Sequence, residues 1–394
     1  MEKLRLGVIG VGSVVREIYQ YLYFSSDFSS IVDVVAVADP NDEYRNWFCD
    51  KYGIASDRRF KDYSEMLDRA ELDAVQVNTP DHLHAAPSIA AMKRGLDVLV
   101  PKPTADTVTD VDAMIRTAEE TGRLLTVDFH KREDPRFKEA ETRYQSGRYG
   151  QLQVAVWYML DKLLVANPNH DPPFFASADF AEKNTPISFL TVHMADALMK
   201  ITHLRPVAVR AVGWSQKLPQ LRPRSVQGYD CCDTEIRFEN GAIAHIITGW
   251  HLPDTAYSTT VQSARMICTD GLIDFSIDRP GYFEVHADGI FEVNPLFKNF
   301  EKDGTVTGYG MTSPGRLLQK ILAFRAGRLS DAERSRLADP MELGFYTTLV
   351  CAGAHESLQR GQRVADGVTE GAPVDLRELL IRQLGTERAG RYLE

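Results

Sequence analysis

A glycine-rich turn near the N-terminus constrains the fold of this chain more than any other feature. Residues 7–15 read GVIGVGSVV and follow an apolar run that predicts a buried strand. A strand, a turn at Gly10 and Gly12, and a following helix suit a dinucleotide pyrophosphate, because backbone N–H groups and the helix N-terminus attract phosphate. The third position of the G-x-G-x-x-G pattern is Val15, so helix and strand must pack slightly further apart. We therefore predict that a dinucleotide contacts Gly10, Val11, Gly12, Ser13 and Val14.

A carboxylate ends the second predicted strand. Residues 31–38 read IVDVVAVA, and Asp39 follows them. A carboxylate at this point can accept hydrogen bonds from both hydroxyls of an adenosine ribose, and it repels a 2′-phosphate. Because the first cation downstream is Arg45, the sequence predicts NAD rather than NADP as the cofactor. The alternative is that Asp39 serves only as a helix cap.

Composition excludes several classes of protein. With 394 residues, 44% hydrophobic and 25% charged, the chain is typical of a globular protein of two domains. A net charge of −10 argues against nucleic acid or an anionic membrane as the main partner. An odd number of cysteines, five, without a C-x-x-C pair predicts reduced thiols in the cytoplasm. The histidines do not combine with other ligands at metal-binding spacing, so no metal site is expected.

The order of strand-like and helix-like segments predicts an α/β protein. Strands and helices alternate over residues 1–128, which predicts a parallel sheet with helices on both faces, a Rossmann dinucleotide-binding domain. Over residues 129–394 the strands are closely spaced and joined by hairpins, such as the one at Asn240-Gly241. They predict a second α/β domain with a large, mostly antiparallel open sheet. One face of that sheet would pack on helices and the other on a second copy of the chain.

Several polar residues follow the third strand-like segment of the first domain, residues 74–77. Ligands of such folds lie at the carboxyl ends of the strands, so this loop is expected beside the cofactor. The two histidines within it have a plainer interpretation as loop or capping residues. The predicted cofactor contacts in the loop are Asn78, Thr79, Pro80, His82 and His84.

A lysine ends the next strand of the first domain. Lys102 lies between Pro101 and Pro103, and the two prolines restrict the backbone around it. Beside a nicotinamide it would be a candidate to exchange a proton with the substrate, as well as a cofactor contact. The alternative is a surface lysine in a loop stiffened by proline.

The last strand of the first domain ends at Asp128, a further predicted cofactor contact. His130, Lys131 and Arg132 follow it. Three consecutive basic residues at a strand end can bind an anionic group of a substrate, or they can be solvated in a crossover between domains.

A predicted helix in the second domain carries His193 and Asp196. Their spacing of three residues lets the carboxylate orient or charge-stabilise the imidazole. A histidine on an apolar helix is more often a buried residue whose hydrogen bonds are satisfied.

Taken in order, these motifs resemble the glucose–fructose oxidoreductase / inositol dehydrogenase (Gfo/Idh/MocA) family. The resemblance rests on Gly10-x-Gly12, Asp39, Asn78-Thr79-Pro80-x-x-x-His84, Lys102-Pro103, His193-x-x-Asp196, and Ala354-His355-Glu356-Ser357-(x)3-Gly361-(x)2-Val364. It implies a Rossmann domain, a second domain whose open sheet mediates oligomers, and NAD(P)-dependent chemistry on sugars or polyols.

Two positions depart from the family pattern. The family usually has Glu-Lys-Pro where this chain has Pro101 before the lysine. Its polyol dehydrogenases usually have an Asp four residues before the histidine, and here that residue is Phe189. Lys102 and His193 would therefore carry more of the acid–base work, unless Asp128 or Tyr158 substitutes for the missing carboxylate.

We expect an NAD-dependent enzyme that oxidises a secondary hydroxyl of a sugar or sugar derivative, with Lys102 and His193 as catalytic residues. The alternatives are a glycosidase that oxidises its sugar transiently, eliminates the aglycone, adds water and re-reduces the sugar, or a non-catalytic NAD-sensing protein. The basic residues suggest a substrate bearing carboxylate, sulfonate or phosphate. The predicted substrate contacts are His130, Lys131, Arg132, Tyr158, Lys162, His193 and Asp196.

Overall fold

The chain folds into two compact units. The structure, a computed structural model, describes residues 3–24, 28–171, 174–175, 179–276, 282–286, 289–293, 297–300 and 305–393. One unit comprises Met1–Glu133 and Leu296–Phe345, and the other comprises Asp134–Pro295 and Tyr346–Glu394. The chain therefore returns to its N-terminal unit over residues 296–345, a return that the sequence-based division at residue 128 does not include.

The strands of the described residues are β1 (Leu4–Ile9), β2 (Val32–Ala38), β3 (Arg59–Phe60), β4 (Ala74–Val77), β5 (Asp97–Pro101), β6 (Leu125–Asp128), β7 (Leu152–Lys162), β8 (Pro206–Trp214), β9 (Cys231–Phe238), β10 (Ile243–Leu252), β11 (Thr260–Cys268), β12 (Gly271–Ser276), β13 (Tyr282–His286), β14 (Gly289–Val293), β15 (Asn299–Phe300), β16 (Val306–Thr307), β17 (Gln362–Ala365), β18 (Val368–Glu370) and β19 (Val374–Asp375). The α-helices are α1 (Gln20–Tyr23), α2 (Asp42–Tyr52), α3 (Tyr63–Arg69), α4 (Ala85–Lys93), α5 (Val108–Thr121), α6 (Pro135–Gln145), α7 (Phe180–Lys183), α8 (Val192–Thr202), α9 (Tyr309–Arg325), α10 (Asp331–Arg334), α11 (Phe345–Gln359), α12 (Leu376–Leu384) and α13 (Thr386–Leu393). Two π-helical turns, Val15–Tyr19 and Ile187–Thr191, lead directly into α1 and α8. Short 3₁₀ turns cover Ser56–Arg58, Asp81–Leu83, His130–Glu133, Leu163–Val165 and Leu218–Gln220.

The first unit is built on a parallel sheet of six strands in the order β3-β2-β1-β4-β5-β6. The order reverses between β1 and β4, and at such a switch point the carboxyl ends of the strands open a crevice for a ligand. This topology confirms the predicted Rossmann fold.

Local sequence signals explain where the helices of this sheet begin and end. The side chain of Thr107 accepts a hydrogen bond from the Asp110 N–H at the start of α5, as an N-cap does. Gly122 ends α5 with φ +61°, a conformation that side chains larger than glycine disfavour. Helix α9 belongs to the same unit because its buried Leu318 and Ile321 join the core of the parallel sheet.

The second unit is built on a large mixed sheet in the order β12-β11-β7-β10-β9-β8-β18-β17, with β19 also paired to β8. Its pairs are antiparallel except that of β7 with β10, which is parallel. The predicted hairpin joins β9 to β10, and Gly241 within it has φ +85°. The α/β class and the mostly antiparallel sheet are thus confirmed.

The two faces of the mixed sheet differ in burial. Trp157 in β7 and Thr248 in β10 are fully buried and point to the face on which the turn before α8 packs. The opposite face is open in this chain and carries Val156, Ile267 and Leu272 with 39%, 41% and 54% of their surface exposed. Among the residues that the structure describes, no helix is long and apolar enough to cross a membrane.

Candidate functional site

The glycine turn (residues 10–12) lies at the carboxyl end of β1. Gly10 has φ +84°, and a Cβ added there would come within 2.8 Å of the Asn78 carbonyl oxygen. A Cβ added at Gly12 would meet no atom within 4 Å. Gly10 is therefore required by the fold itself, whereas Gly12 leaves open space beside the backbone, as a bound phosphate needs.

The helix after the glycine turn begins with a π-helical turn, Val15–Tyr19. Val15, which replaces the third glycine of the motif, is fully buried. The Arg16 N–H donates to the Gly12 carbonyl at 3.1 Å, so the helix still begins directly at the turn. Ser13 and Val14, the other predicted contacts, lie between the glycine turn and Val15 and are half-buried.

Asp39 is tied to the glycine turn by its carboxylate. The Val11 N–H donates to Asp39 Oδ2 at 2.8 Å, and the Asn41 N–H donates to Oδ1 at 2.8 Å. Each oxygen keeps a further lone pair with which it can accept from a ribose hydroxyl. Arg45 is buried and donates to the Asp39 carbonyl at 2.6 Å and to Asp42. Its guanidinium is thus directed at the protein, in agreement with the prediction of NAD over NADP.

The loop after β4 contains a polar atom that the protein itself leaves unsatisfied. Thr79 Oγ1 is buried and has no hydrogen-bond partner among the described residues. Asn78 is buried and donates through Nδ2 to the Gly10 carbonyl at 3.4 Å, while Pro80 is exposed. An orphaned hydroxyl beside the glycine turn is a position where a ligand would complete the hydrogen bonding.

The two histidines of this loop have different surroundings. His82 is exposed, whereas His84 is fully buried. The His84 ring lies between two backbone carbonyls, with Nδ1 2.9 Å from the Pro103 oxygen and Nε2 2.9 Å from the Thr79 oxygen. Burial lowers the pKa of His84. His84 therefore connects the loop after β4 to the end of β5. Its role is to position these two segments.

Lys102 lies at the end of β5, half-buried, and its peptide bond to Pro103 is cis. Burial lowers the pKa of His130 well below its usual value, and the charges of Lys131 and Lys102 lower it further. Lys102 and His130 are therefore close enough within this unit to interact electrostatically.

Asp128 is buried and accepts hydrogen bonds from two hydroxyls. Tyr19 donates to Oδ2 at 2.8 Å, and Ser313 in α9 donates to Oδ1 at 2.5 Å. Burial raises the pKa of Asp128 to about 6, while the two hydrogen bonds oppose that shift. The carboxylate thus joins the end of β6 to the helix of the glycine turn and to α9.

The basic run after Asp128 forms a 3₁₀ turn. The His130 ring packs against Phe297, with their centroids 4.8 Å apart. Lys131 is 2% exposed. Arg132 donates to the Met341 carbonyl at 3.0 Å and to the Glu342 carbonyl at 2.9 Å. Arg132 therefore anchors the returning segment, so the structure does not gather the three residues as a solvated basic patch.

In the second unit, His193 and Asp196 are both buried on α8, with 6% and 2% of their surface exposed. The Thr347 hydroxyl is 3.4 Å from Asp196 Oδ1. Thr191, in the π-helical turn before α8, is 2.8 Å from the Thr248 hydroxyl of β10. The helix that carries His193 is thus fixed to the mixed sheet.

An aromatic cluster lies one turn before His193. We define it as Phe175, Phe180, Phe189 and Trp250. The Phe189 ring meets Phe180 edge-to-face at 4.9 Å and Phe175 at 5.6 Å, while Phe175 and Phe180 stack at 4.2 Å. At the position where the resemblance implies a carboxylate, this chain therefore has an aromatic residue packed in a cluster of rings.

Two predicted substrate contacts of the second unit are not brought together with His193. Tyr158 pairs with Ile247 and Ser263, and alternation along the strand places it on the open face of the sheet, opposite Thr248. Lys162 ends β7 and donates to the Asp254 carbonyl at 2.8 Å. Among the described residues, no group of three or more His, Cys, Asp or Glu is arranged to hold a metal ion.

The sequence of the first unit matches a family model. The model described as "Oxidoreductase family, NAD-binding Rossmann fold" matches residues 4–129. The resemblance to the Gfo/Idh/MocA family is confirmed over these residues, and so is the predicted cofactor NAD.

Several sugar and inositol dehydrogenases resemble this chain over most of its length. D-glucoside 3-dehydrogenase of Escherichia coli (strain K12) is 25% identical over 258 residues, which cover 63% of this chain and 71% of that protein. Inositol 2-dehydrogenase of Rhodococcus jostii (strain RHA1) is 24% identical over 97% of this chain and 98% of that protein. The crystal structure of scyllo-inositol dehydrogenase from Lactobacillus casei, with NAD(H) and scyllo-inositol bound, has a TM-score of 0.71 over 94% of this chain and 99% of that chain, at 14% identity. The structural likeness shows the same fold, and the match of the first unit indicates an NAD-binding oxidoreductase.

The residues at the carboxyl ends of the strands fit NAD. The open space at Gly12 leaves room for a phosphate. The Asp39 carboxylate can accept hydrogen bonds from ribose hydroxyls, and the Thr79 hydroxyl has a hydrogen bond still to make. Sequence reasoning had missed three features: the hydrogen bonds of Tyr19 and Ser313 to Asp128, the return of α9 to the first unit, and the aromatic cluster of the second unit. The sequence shows that these aromatic residues are present, but it does not show that they contact one another, because they come from segments far apart in the chain.

Proposed function

We propose that the protein is an NAD-dependent dehydrogenase that oxidises a secondary hydroxyl of a sugar or sugar derivative. One observation carries the proposal. The glycine turn, Asp39, Thr79 and Lys102 all follow parallel strands at the same edge of one sheet, next to the switch point between β1 and β4. A proton-accepting lysine at the edge where the cofactor binds suits alcohol oxidation.

The protein's own contribution to this reaction is binding, orientation and proton transfer. We assign the cofactor contacts to the glycine turn, Ser13, Val14, Asp39 and the loop Asn78–Pro80. When bound, NAD supplies the hydride acceptor. Nζ of Lys102 accepts the proton of the substrate hydroxyl, and His193 assists by hydrogen bonding to the substrate. Asp196 acts through His193, because it lies one turn further along the same helix.

The test uses NAD and a panel of free, methyl-linked and aryl-linked sugars, with NADH and released aglycone followed together. Stoichiometric NADH without aglycone supports the dehydrogenase. Absence of NADH with every sugar, when NAD binding is measurable, contradicts it.

A second candidate is a redox-neutral glycosidase, and Phe189 is the observation that favours it. A dehydrogenase benefits from the carboxylate that this position lacks, whereas a glycosidase needs a base for the carbon acid beside a transient ketone. Aglycone release with catalytic NAD, and solvent deuterium at the neighbouring carbon, would support the glycosidase. The same panel therefore separates the two reactions.

The structure gives less support to a substrate with an anionic group than to a neutral sugar. Arg132 is bonded to the carbonyls of Met341 and Glu342, and Lys131 is buried. Comparable kcat/KM for a sugar and its uronic acid would argue against an anion site.

We also propose that the open face of the mixed sheet forms a contact between copies of the chain. Its exposed Val156, Ile267 and Leu272 would be a liability in a monomer. Light scattering should find an oligomer for the wild type and a smaller species for Ile267→Arg. Leu83→Arg, at an exposed leucine of the other unit, is the matched control.

A cytoplasmic location is a further proposal, supported by five free cysteines.

A further inference from the structure

The aromatic cluster beside His193 has features of a binding subsite. Phe189 belongs to the π-helical turn that runs directly into α8, four residues before His193. Four residues are roughly one turn of a helix, so Phe189 and His193 project from similar sides of it. The cluster is therefore positioned by the same helix as a proposed catalytic residue.

The cluster rests on a rigid base. Trp250 is fully buried and donates through Nε1 to the Tyr229 carbonyl at 3.0 Å. Its ring lies 5.6 Å from Phe180 and 6.2 Å from Phe189. The hydroxyls of Thr191 and Thr248, 2.8 Å apart, fix the π-helical turn to β10. Such anchoring holds Trp250 and the turn that carries Phe189 in place before any ligand arrives, which reduces the entropy lost on binding.

Part of the cluster remains accessible to solvent. Phe175, Phe180 and Phe189 are half-buried, and Phe174, whose ring is 5.0 Å from Phe175, is 49% exposed. A group of accessible aromatic rings on one surface is more typical of a ligand-binding site than of a core.

The ring orientations indicate which ligand fits. Phe189 stands at 83° to Phe180 and at 84° to Phe175, so the rings form a corner rather than one flat platform. An aromatic guest prefers edge-to-face and offset contacts, because its positive edge meets the negative face of another ring. A corner offers both contacts at once.

We propose that this cluster binds an aryl group attached to the sugar, so that the preferred substrate is a glycoside with an aromatic aglycone. This inference rests on the proposed function for the identity of the sugar site. Phe189 is then a specificity-determining residue, because it replaces a polar contact to the sugar with an apolar contact to the aglycone.

The test compares phenyl β-glucoside with methyl β-glucoside by titration calorimetry on the NADH-loaded protein, together with kcat/KM for NADH formation with NAD. We expect the phenyl glycoside to bind at least about tenfold more tightly, as expected for one or two new aromatic contacts. Phe189→Leu should abolish most of this difference while it retains an apolar side chain. Phe189→Asp should reverse it in favour of the methyl glycoside.

Phe275→Leu is the matched control, because Phe275 packs against Phe137 and Trp157 in the same unit and outside the cluster. It should leave the ratio of the two affinities unchanged. Equal affinity for the two glycosides, or no binding of the phenyl glycoside, overturns the inference. If both are oxidised with equal kcat/KM, the inference fails while the dehydrogenase stands. If the phenyl glycoside binds but no sugar yields NADH, the dehydrogenase fails while the subsite stands.

Discussion

The carboxylate of Asp39 accepts a hydrogen bond of 2.8 Å from the backbone N–H of Val11. This contact joins the end of β2 to the glycine turn, so the side chain that we propose as the ribose contact also shapes the turn. Under that proposal, one residue couples the fold to the cofactor preference.

Asp39→Ala should weaken NAD binding by about 10- to 100-fold, because a charged acceptor is lost to the ribose and to the Val11 N–H. Asp39→Asn should keep a hydrogen bond to Val11 but lose the repulsion of a 2′-phosphate, so the preference for NAD over NADP should fall. Calorimetric titrations with both dinucleotides measure this. Unchanged NAD affinity and preference in both variants would rule out the ribose assignment.

The two glycines of the turn should respond differently to alanine. Gly10→Ala should lower the free energy of unfolding by more than about 1 kcal/mol, since the residue has a positive φ and its Cβ would contact the Asn78 carbonyl. A Cβ at Gly12 would lie in open space, so Gly12→Ala should change the free energy of unfolding of the unliganded protein by no more than about 0.5 kcal/mol.

Gly12→Ala should nevertheless weaken NAD binding by at least about tenfold, because the added methyl takes up space beside the phosphate. Denaturant unfolding without ligand and NAD titration measure the two effects separately. A Gly12→Ala protein with wild-type affinity would place the pyrophosphate elsewhere.

Asp128 should make stability depend on pH in an unusual direction. Burial raises its pKa from 3.8 to about 6 in the folded protein, so the folded state holds its proton more tightly than the unfolded chain does. Stability from this group is therefore fully present below pH 3.8 and is lost as the pH rises to about 6. The gap between the two pKa values is equivalent to about 3 kcal/mol.

Asp128→Asn removes this titration. The free energy of unfolding of the variant, relative to wild type, should therefore rise by up to about 3 kcal/mol between pH 4 and pH 7. Asp57→Asn, at an exposed aspartate, is the control and should show no such trend. A difference between Asp128→Asn and wild type that stays constant with pH would mean that Asp128 titrates normally.

His84 and His82 offer a matched pair of substitutions. His84→Ala removes the imidazole from the buried carbonyls of Thr79 and Pro103 and opens a cavity. The free energy of unfolding should therefore fall by about 2–5 kcal/mol. His82 is exposed, and His82→Ala should change stability by no more than about 0.5 kcal/mol. Chemical denaturation of both variants checks this, and similar losses in the two would contradict the bridging role of His84.

The parallel sheet was predictable because its signals are local. The strand predicted over residues 74–77 has the same bounds in the structure, Ala74–Val77. Continuous apolar runs mark buried strands, and caps such as Thr107 mark helix ends. The class of the second unit followed from closely spaced strands and the Asn240-Gly241 hairpin in the same way.

The roles of several side chains were not predictable, because they depend on residues distant in sequence. Asp128 meets Ser313 and Arg132 meets Met341 only because the chain returns over residues 296–345. Tyr158 was expected near the substrate from its chemistry, yet its register in β7 directs it to the open face of the sheet. Spacing along one segment cannot supply such contacts.

We propose that Lys102 accepts the substrate proton, and Lys102→Met tests this role most directly. The measurement is single-turnover NADH formation with a glycoside that the wild type oxidises, together with the NAD dissociation constant. We predict that Lys102→Met loses at least about 100-fold in rate, the usual contribution of a general base, with NAD affinity within a few fold of wild type. Lys93→Met, at an exposed lysine of α4, should retain the wild-type rate. Full turnover by Lys102→Met would show that Lys102 does not accept the substrate proton.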